Sequence, residues 1–202
     1  LKATGTIKFL EMKVLMTLFL VLNASVILGQ THYRSLQISG MQNSSLEVSG
    51  KTNVTGFSCT YEPEYFQAEH TLKFYKKEQV ILLKDAELKL DIDGFDCGGK
   101  AINKDFRKML KADEYPHIIL NFKQVELTEA GQQATITINI AGQQNTYTIP
   151  VTWCKEEQQH LKGILNLNIT DFELELPKKL FGLITIKDAI AIRFDIAGTY
   201  AL

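Results

Sequence analysis

The strongest constraint in this sequence is an alternation of apolar and polar residues that recurs from residue 45 to the C-terminus. Successive side chains of a β-strand point to opposite faces, so period-two alternation predicts strands with one buried face. The clearest runs are 86–93, 135–140, 146–153, 165–170 and 190–197, with weaker runs at 45–50, 54–61, 70–76 and 117–127. The chain is therefore predicted to consist of about eight or nine strands.

This pattern predicts an all-β fold with antiparallel strands. Each run has one polar face, whereas the strands of a parallel sheet between helices are apolar on both faces. The exception is residues 101–112, a predicted short helix with Asn103 as its N-cap and with Phe106, Met109 and Leu110 on one face. Alternation alone fits a closed barrel and a two-sheet sandwich equally. We favour the barrel, because closure removes exposed strand edges and about eight strands enclose room for one small ligand.

The N-terminal segment predicts export. Met12 would serve as the true start, which makes residues 1–11 a mis-called start. One positive charge then precedes an apolar run that is typical of a signal peptide and shorter than the roughly 20 residues of a membrane-spanning helix. We expect a signal peptide over residues 12–29, cleaved after Gly29, and one mature domain over residues 31–202. The mature chain is expected to be periplasmic or secreted, with no stable membrane span.

The three cysteines bear on the redox environment. In an exported protein, one disulfide and one free thiol is the natural division. We favour Cys59 with Cys97, because each ends a strand-like run, and this pairing leaves Cys154 free. Three buried, unpaired thiols are the alternative. No two cysteines have the two-residue spacing of a zinc ribbon, so we expect no metal site.

Charge and motifs give little support for nucleic-acid binding or catalysis. The chain carries 22 Lys and Arg against 23 Asp and Glu, without the basic excess of a nucleic-acid binder. His32, His70, His117 and His160 are scattered, form no metalloprotease pair, and are interpreted as surface residues. No serine has the flanking glycines of a nucleophile elbow. We therefore expect a non-enzymatic protein with no catalytic residues, no cofactor and no nucleic-acid partner.

Four stretches resemble the YceI-like family of exported lipid-binding proteins, and the resemblance extends roughly from Ser45 to the C-terminus. The most specific stretch is FDCGGKAINKDFRKMLKADEYPHIIL at 95–120. The others are SLEVSGKTNVTGFSC at 45–59, TIPVTWC at 148–154 and LFGLITIKDAIAIRFDIAGTY at 180–200.

This resemblance implies an eight-stranded antiparallel lipocalin-like barrel, with a short helix by its opening and an elongated apolar cavity that holds an isoprenoid chain. It also implies a periplasmic or secreted protein, and the family shares no catalytic motif that could be carried over. The pair Cys59 and Cys97 resembles a subgroup of the family.

The inward apolar faces of the clearest runs are the predicted binding surface. A pocket for an isoprenoid chain needs continuous apolar walls with few polar groups. For any one of these residues ordinary core packing is the better interpretation, and only the whole set, in a barrel, supports a ligand. The predicted cavity-lining residues are Leu88, Leu90, Ile92, Ile136, Ile138, Ile140, Ile149, Val151, Leu165, Leu167, Ile192 and Phe194.

Three classes of function follow from these observations. The favoured one is non-catalytic binding and carriage of an isoprenoid lipid or quinone. The second is an envelope protein-interaction module with a packed barrel, for which Trp153, Tyr61, Tyr65 and Phe66 would be exposed anchors. The third is an enzyme that uses the cavity as its active site, and it has the least support because no acid–base or nucleophile set is visible. Formation of a homodimer is left open.

Overall fold

Antiparallel β-strands dominate the structure. The computed structural model describes residues 32–155, 159–176 and 185–201. The predicted signal peptide and the predicted false start lie outside the described residues, and the elements below belong to one compact unit, Tyr33–Leu202. In chain order they are β1 (Arg34–Ser39), β2 (Ser45–Thr52), β3 (Gly56–Tyr61), β4 (Glu69–Lys77), β5 (Val80–Lys84), β6 (Glu87–Asp91), β7 (Phe95–Asp96), α1 (Lys100–Met109), β8 (His117–Thr128), β9 (Gly131–Ile140), β10 (Gln143–Lys155), β11 (Gln159–Asn168) and β12 (Ile186–Ala201).

Eight of these strands form a closed antiparallel ring. Its order is β1–β4–β5–β8–β9–β10–β11–β12. The last strand returns to the first through the pairs Gln37↔Ala201, Ile38↔Tyr200 and Ser39↔Thr199. The structure therefore confirms the predicted eight-stranded antiparallel, lipocalin-like barrel with one short α-helix, and it rules out the two-sheet sandwich.

Two long strands give the barrel a different wall at each end. β12 pairs with β1 near its C-terminus and with β2 over residues 190–195. Similarly, β8 pairs with β5 over residues 124–126 and with β6 over residues 117–121. From β2 the sheet continues through β3 to β7. We call the half walled by β1, β4 and β5 the β1 end, and the half walled by β2, β3 and β6 the β2 end.

An aromatic cluster packs at the β2 end. The ring of Tyr61, which is 1% exposed, lies 4.9 Å from that of Phe66 and 4.8 Å from that of Phe95, measured between centroids. Phe106 of α1 packs against Phe95 with the ring centroids 5.3 Å apart. Burial raises the pKa of Tyr61, whose hydroxyl accepts a hydrogen bond from the backbone N–H of Asp91 at 3.1 Å. These contacts join β3, β7 and α1 in one core.

A disulfide between Cys59 and Cys97 ties β3 to the loop that leads into α1, and it confirms the predicted pairing. Among the described residues, Cys154 is a free cysteine and is half-buried. The helix itself has 10 residues. No helix in the described part of the chain is long and apolar enough to cross a membrane.

The prediction that Asn103 caps α1 is wrong. Gly99 is the N-cap, and Asn103 lies inside the helix. Its side-chain oxygen accepts a hydrogen bond from the N–H of Cys97 at 2.7 Å, and its amide nitrogen donates to the carboxylate of Asp96 at 2.9 Å. Hydrogen bonds from Asn103 and from the N–H of Gly98 lower the pKa of Asp96. Asn103 therefore braces the loop that carries the disulfide.

The alternation also misses three strands. In β5 the four apolar residues Val-Ile-Leu-Leu are all half-buried, so the strand has no polar face and no period of two. β7 has only 2 residues, too few to show a pattern. β1, which closes the ring, lies before the first alternating run.

Replacing both Cys59 and Cys97 with Ala is expected to lower the free energy of unfolding by about 3–4 kcal/mol. The reason is that the bridge closes a loop between residues 38 positions apart and so restricts the unfolded chain. Equilibrium urea denaturation measures the change, with Cys154→Ala as the control that should cost less than about 1 kcal/mol. A double variant as stable as the parent protein would show that the bridge adds no stability.

Candidate functional site

The β1 end of the barrel encloses a cavity of about 430 Å³. This volume lies within the range of roughly 300–1,000 Å³ that ligand pockets span. The described residues that line it are Leu36, Ile38, Met41, His70, Leu72, Phe74, Ile81, Leu83, Ala86, Glu87, Leu88, Phe122, Val125, Leu127, Gln132, Trp153, Leu161 and Ile196.

Inward-facing side chains of three neighbouring strands form one side of this wall. Leu36 of β1 is the cross-strand partner of Leu72 of β4, and Phe74 of β4 is the partner of Leu83 of β5. Directly opposed residues in antiparallel strands place their side chains on the same face. All four are half-buried rather than fully buried, because one side of each borders the cavity.

Two backbone irregularities shape the adjoining part of the wall, where β8 pairs with β5. A register shift in β8 between Phe122 and Gln124 turns both Phe122 and Val125 toward the cavity. Asp85, with a positive φ of 60°, separates β5 from β6. The carbonyl of the next residue, Ala86, accepts a hydrogen bond from the N–H of Phe122 at 2.9 Å. The register shift in β8 and the turn at Asp85 both lie where the wall passes from the β1 end to the β2 end.

Few polar groups reach this wall, and none of its described residues is Lys or Arg. Glu87 turns its carboxylate to the outer face, where it accepts a hydrogen bond from Asn121 at 3.3 Å. The remaining polar atoms belong to His70, Gln132 and Trp153. The prediction that His70 is a surface residue is wrong: its side chain is half-buried in the cavity wall. The wall is therefore suited to an apolar ligand.

The structure buries all the predicted cavity-lining residues but places most of them away from this cavity. Leu88 lines it. Leu167 borders a second, more polar groove together with Ser49 and Asp171. The others lie in the continuous core: Leu90, Ile92, Ile136, Ile138, Ile140, Ile149, Val151, Leu165, Ile192 and Phe194. Contact of these residues with a ligand stays a prediction.

Most residues that do line the cavity come from segments with weak alternation or none. β4 and the second half of β8 correspond to the weaker runs at 70–76 and 117–127. β1 and β5 correspond to no run. For β4 and β8 the weakness of the alternation is the one feature that sets them apart from the strands of the packed core, and β1 and β5 carry no such signal.

Two of the four predicted surface anchors are wrong. Tyr61 and Phe66 are buried in the aromatic cluster, with 1% and 4% of their surface exposed. Trp153 and Tyr65 are exposed, at 37% and 38%. Because Trp153 also lines the cavity, it marks the cavity rim.

A charged cluster lies on the outer wall behind the cavity. The Nδ1 atom of His160 is 2.6 Å from one carboxylate oxygen of Asp195, and the Nζ atom of Lys162 is 3.1 Å from the other. Burial alone would raise the pKa of Asp195, but its hydrogen bonds with His160 and Lys162 outweigh burial and lower it. Within the described residues, no three or more His, Cys, Asp or Glu are grouped so as to hold a metal ion.

Comparisons with known proteins agree with this architecture. A family model for the YceI-like domain matches residues 30–198. Among solved structures, Burkholderia cenocepacia BcnA is 18% identical with a TM-score of 0.63, covering 80% of this chain and 99% of its own. A polyisoprenoid binding domain from Saccharophagus degradans, implicated in plant cell wall breakdown, is 14% identical with a TM-score of 0.53, covering 82% of this chain and 98% of its own. Among curated proteins there is no match. At these identities the two structures show a shared fold.

The hollow and packed halves should respond differently to the same truncation. Leu165→Ala, at a side chain that is 2% exposed, is expected to cost about 3–5 kcal/mol of unfolding free energy because it opens a new void in the core. Leu72→Ala should cost less than about 2 kcal/mol, because Leu72 already borders a cavity and loses fewer contacts. Urea denaturation of both variants tests this, and equal costs would contradict the distinction between the halves.

The low pKa of Asp195 predicts a pH dependence in acid. A carboxylate whose folded-state pKa lies below its ordinary value of 3.8 stabilises the protein above that value, and the stabilisation disappears as the pH falls through the folded pKa. The parent protein should therefore be more stable than Asp195→Asn at neutral pH, and the difference should shrink below about pH 4. Urea denaturation of both proteins across this range measures it. A difference that does not vary with pH would contradict the assignment.

Proposed function

We propose that this chain, which belongs to the YceI-like family, binds an isoprenoid lipid or quinone in the cavity at the β1 end and carries it without catalysing a reaction. The observation that carries the proposal is the cavity of about 430 Å³, walled almost entirely by aliphatic and aromatic side chains. A protein of the same fold that is described as a polyisoprenoid binding domain supports it.

Burial of apolar surface supplies the affinity for such a ligand. Each CH₂-sized unit removed from water contributes about 0.8 kcal/mol, and an isoprenoid chain carries many of them. A dry protein cavity of about 150 Å³ takes one benzene molecule, so this cavity has room for roughly 15–20 carbons, or three to four isoprene units. A longer chain would leave the barrel past Trp153 at the rim.

The proposal includes a location outside the cytoplasm. The disulfide between Cys59 and Cys97 persists in an oxidising compartment, such as the periplasm or the exterior of the cell. The predicted signal peptide over 12–29 and the predicted mature domain over 31–202 agree with export. A lipid carrier in this compartment would exchange its ligand with envelope membranes.

Protein purified from the envelope fraction of a bacterial host is expected to contain an isoprenoid lipid or quinone. Organic extraction followed by mass spectrometry identifies it, and repeated recovery of nothing apolar from folded protein would contradict the proposal. Leu72→Arg should abolish the bound lipid, because it places a charge in a wall that offers the guanidinium no buried anion.

The matched control for this charge is Ile164→Arg on β11. Ile164 lies on the outer face and is 43% exposed, so the same new charge there should leave the lipid content unchanged. Near-UV circular dichroism checks that both variants keep the fold. Equal lipid content in folded Leu72→Arg and in the parent protein would place the ligand elsewhere.

A further inference from the structure

We infer that His70 forms a hydrogen bond with the polar head of the ligand in the cavity, and that this head presents an uncharged oxygen, as a carbonyl or a hydroxyl group does. The inference rests on the proposed function and deepens it, because it names the residue that selects the head group. It makes His70 a specificity-determining residue rather than part of a general apolar wall.

His70 lies on an inward-facing position of the barrel wall. On β4 it faces inward with Leu72 and Phe74, and its cross-strand partner on β1 is Ile38, which is 8% exposed. Its ring lines the cavity among mostly apolar side chains, and its inward-facing neighbours Leu72 and Phe74 offer no hydrogen-bonding groups. Placing an imidazole in such a wall costs desolvation free energy that a leucine or phenylalanine would not, unless the ring finds a partner.

One ring nitrogen of His70 lacks a hydrogen-bond partner among the described residues. This nitrogen, Nε2, is buried. A buried polar atom in this state lowers stability, and most such atoms in proteins are paired. Because His70 lines the cavity and histidine has broad preferences about its Cβ–Cγ bond, a turn of the ring is the movement by which we expect a nitrogen to meet the ligand. A ligand oxygen there would remove the cost.

The described cavity wall offers no cationic side chain of Lys or Arg to a charged head group. The carboxylate of Glu87 turns outward to Asn121. A diphosphate or carboxylate head at His70 would therefore be desolvated without a cation to pair with. An uncharged oxygen meets no such penalty, because a neutral imidazole offers one donor and one acceptor. Quinone carbonyls and prenol hydroxyls share this chemistry.

The test compares how one substitution changes the affinity for matched probes. The probes are farnesol, a quinone with a farnesyl-length chain, farnesyl diphosphate, and the hydrocarbon in which a methyl group replaces the CH₂OH of farnesol. Titrations follow the fluorescence of Trp153, which is the only tryptophan in the sequence and lines the cavity. His70→Leu should weaken binding of farnesol, the quinone or both by about three- to tenfold. It should leave the affinities for the hydrocarbon and the diphosphate unchanged.

Two further variants keep the result interpretable. His70→Gln retains hydrogen-bonding groups and should preserve part of the affinity for the oxygen-bearing probes. Thr71→Val changes the next residue on β4, which is exposed on the outer face, and should change no affinity. A loss confined to the quinone would identify a carbonyl head, and a loss confined to farnesol a hydroxyl head.

The opposing outcomes separate this inference from the proposed function. If His70→Leu and His70→Gln alter the affinities for farnesol, the quinone and the hydrocarbon equally, His70 only packs, and the inference fails while lipid binding stands. If the diphosphate loses most, the head group is charged and that part of the inference is wrong. If no prenyl probe binds the parent protein, the proposed function and the inference fail together.

Discussion

The backbone pairing of β1 with β12 is the contact on which the hollow half of the barrel depends. Through Gln37↔Ala201, Ile38↔Tyr200 and Ser39↔Thr199 it joins the first strand of the ring to the last. Without it, β1 and β12 would each present an open edge of unpaired N–H and C=O groups. Leu36 and Leu72 would then face water. Hydrogen bonds around the ring, rather than dense side-chain packing, keep this end closed over its cavity.

The other half of the barrel is held mainly by side chains. Tyr61, Phe95 and Phe106 pack against one another there, and the disulfide ties β3 to the loop that leads into α1. An eight-stranded ring encloses only enough room for its own side chains or for one small ligand. Here one ring combines a half packed with aromatic side chains and a half that lines the cavity of about 430 Å³. The long strands β8 and β12 run through both halves and connect them.

The antiparallel all-β class could be predicted from the sequence because a period of two reports directly which side chains face inward. The eight-stranded barrel needed the family resemblance as well, because alternation fits a two-sheet sandwich equally. The place of the cavity could not be predicted. Ile138 and Leu72 both face inward, but alternation does not reveal that the first meets side chains on every side and the second meets a void. The place of His70 in the cavity wall could not be predicted for a related reason, because it depends on neighbours that are distant in sequence. The hydrogen bonds of Asn103 depend on the loop that the disulfide holds in place.

Closure of the ring between its first and last strands also determines when the cavity exists during folding. Contacts between segments so far apart in sequence form late, because the entropy of bringing them together must be overcome before they add stability. A growing chain can build the hairpins between β8 and β11, but the ring cannot close until β12 is present to pair with β1. The cavity at the β1 end therefore forms only after the last strand has joined the first, and a partly folded chain has no enclosed apolar volume to offer.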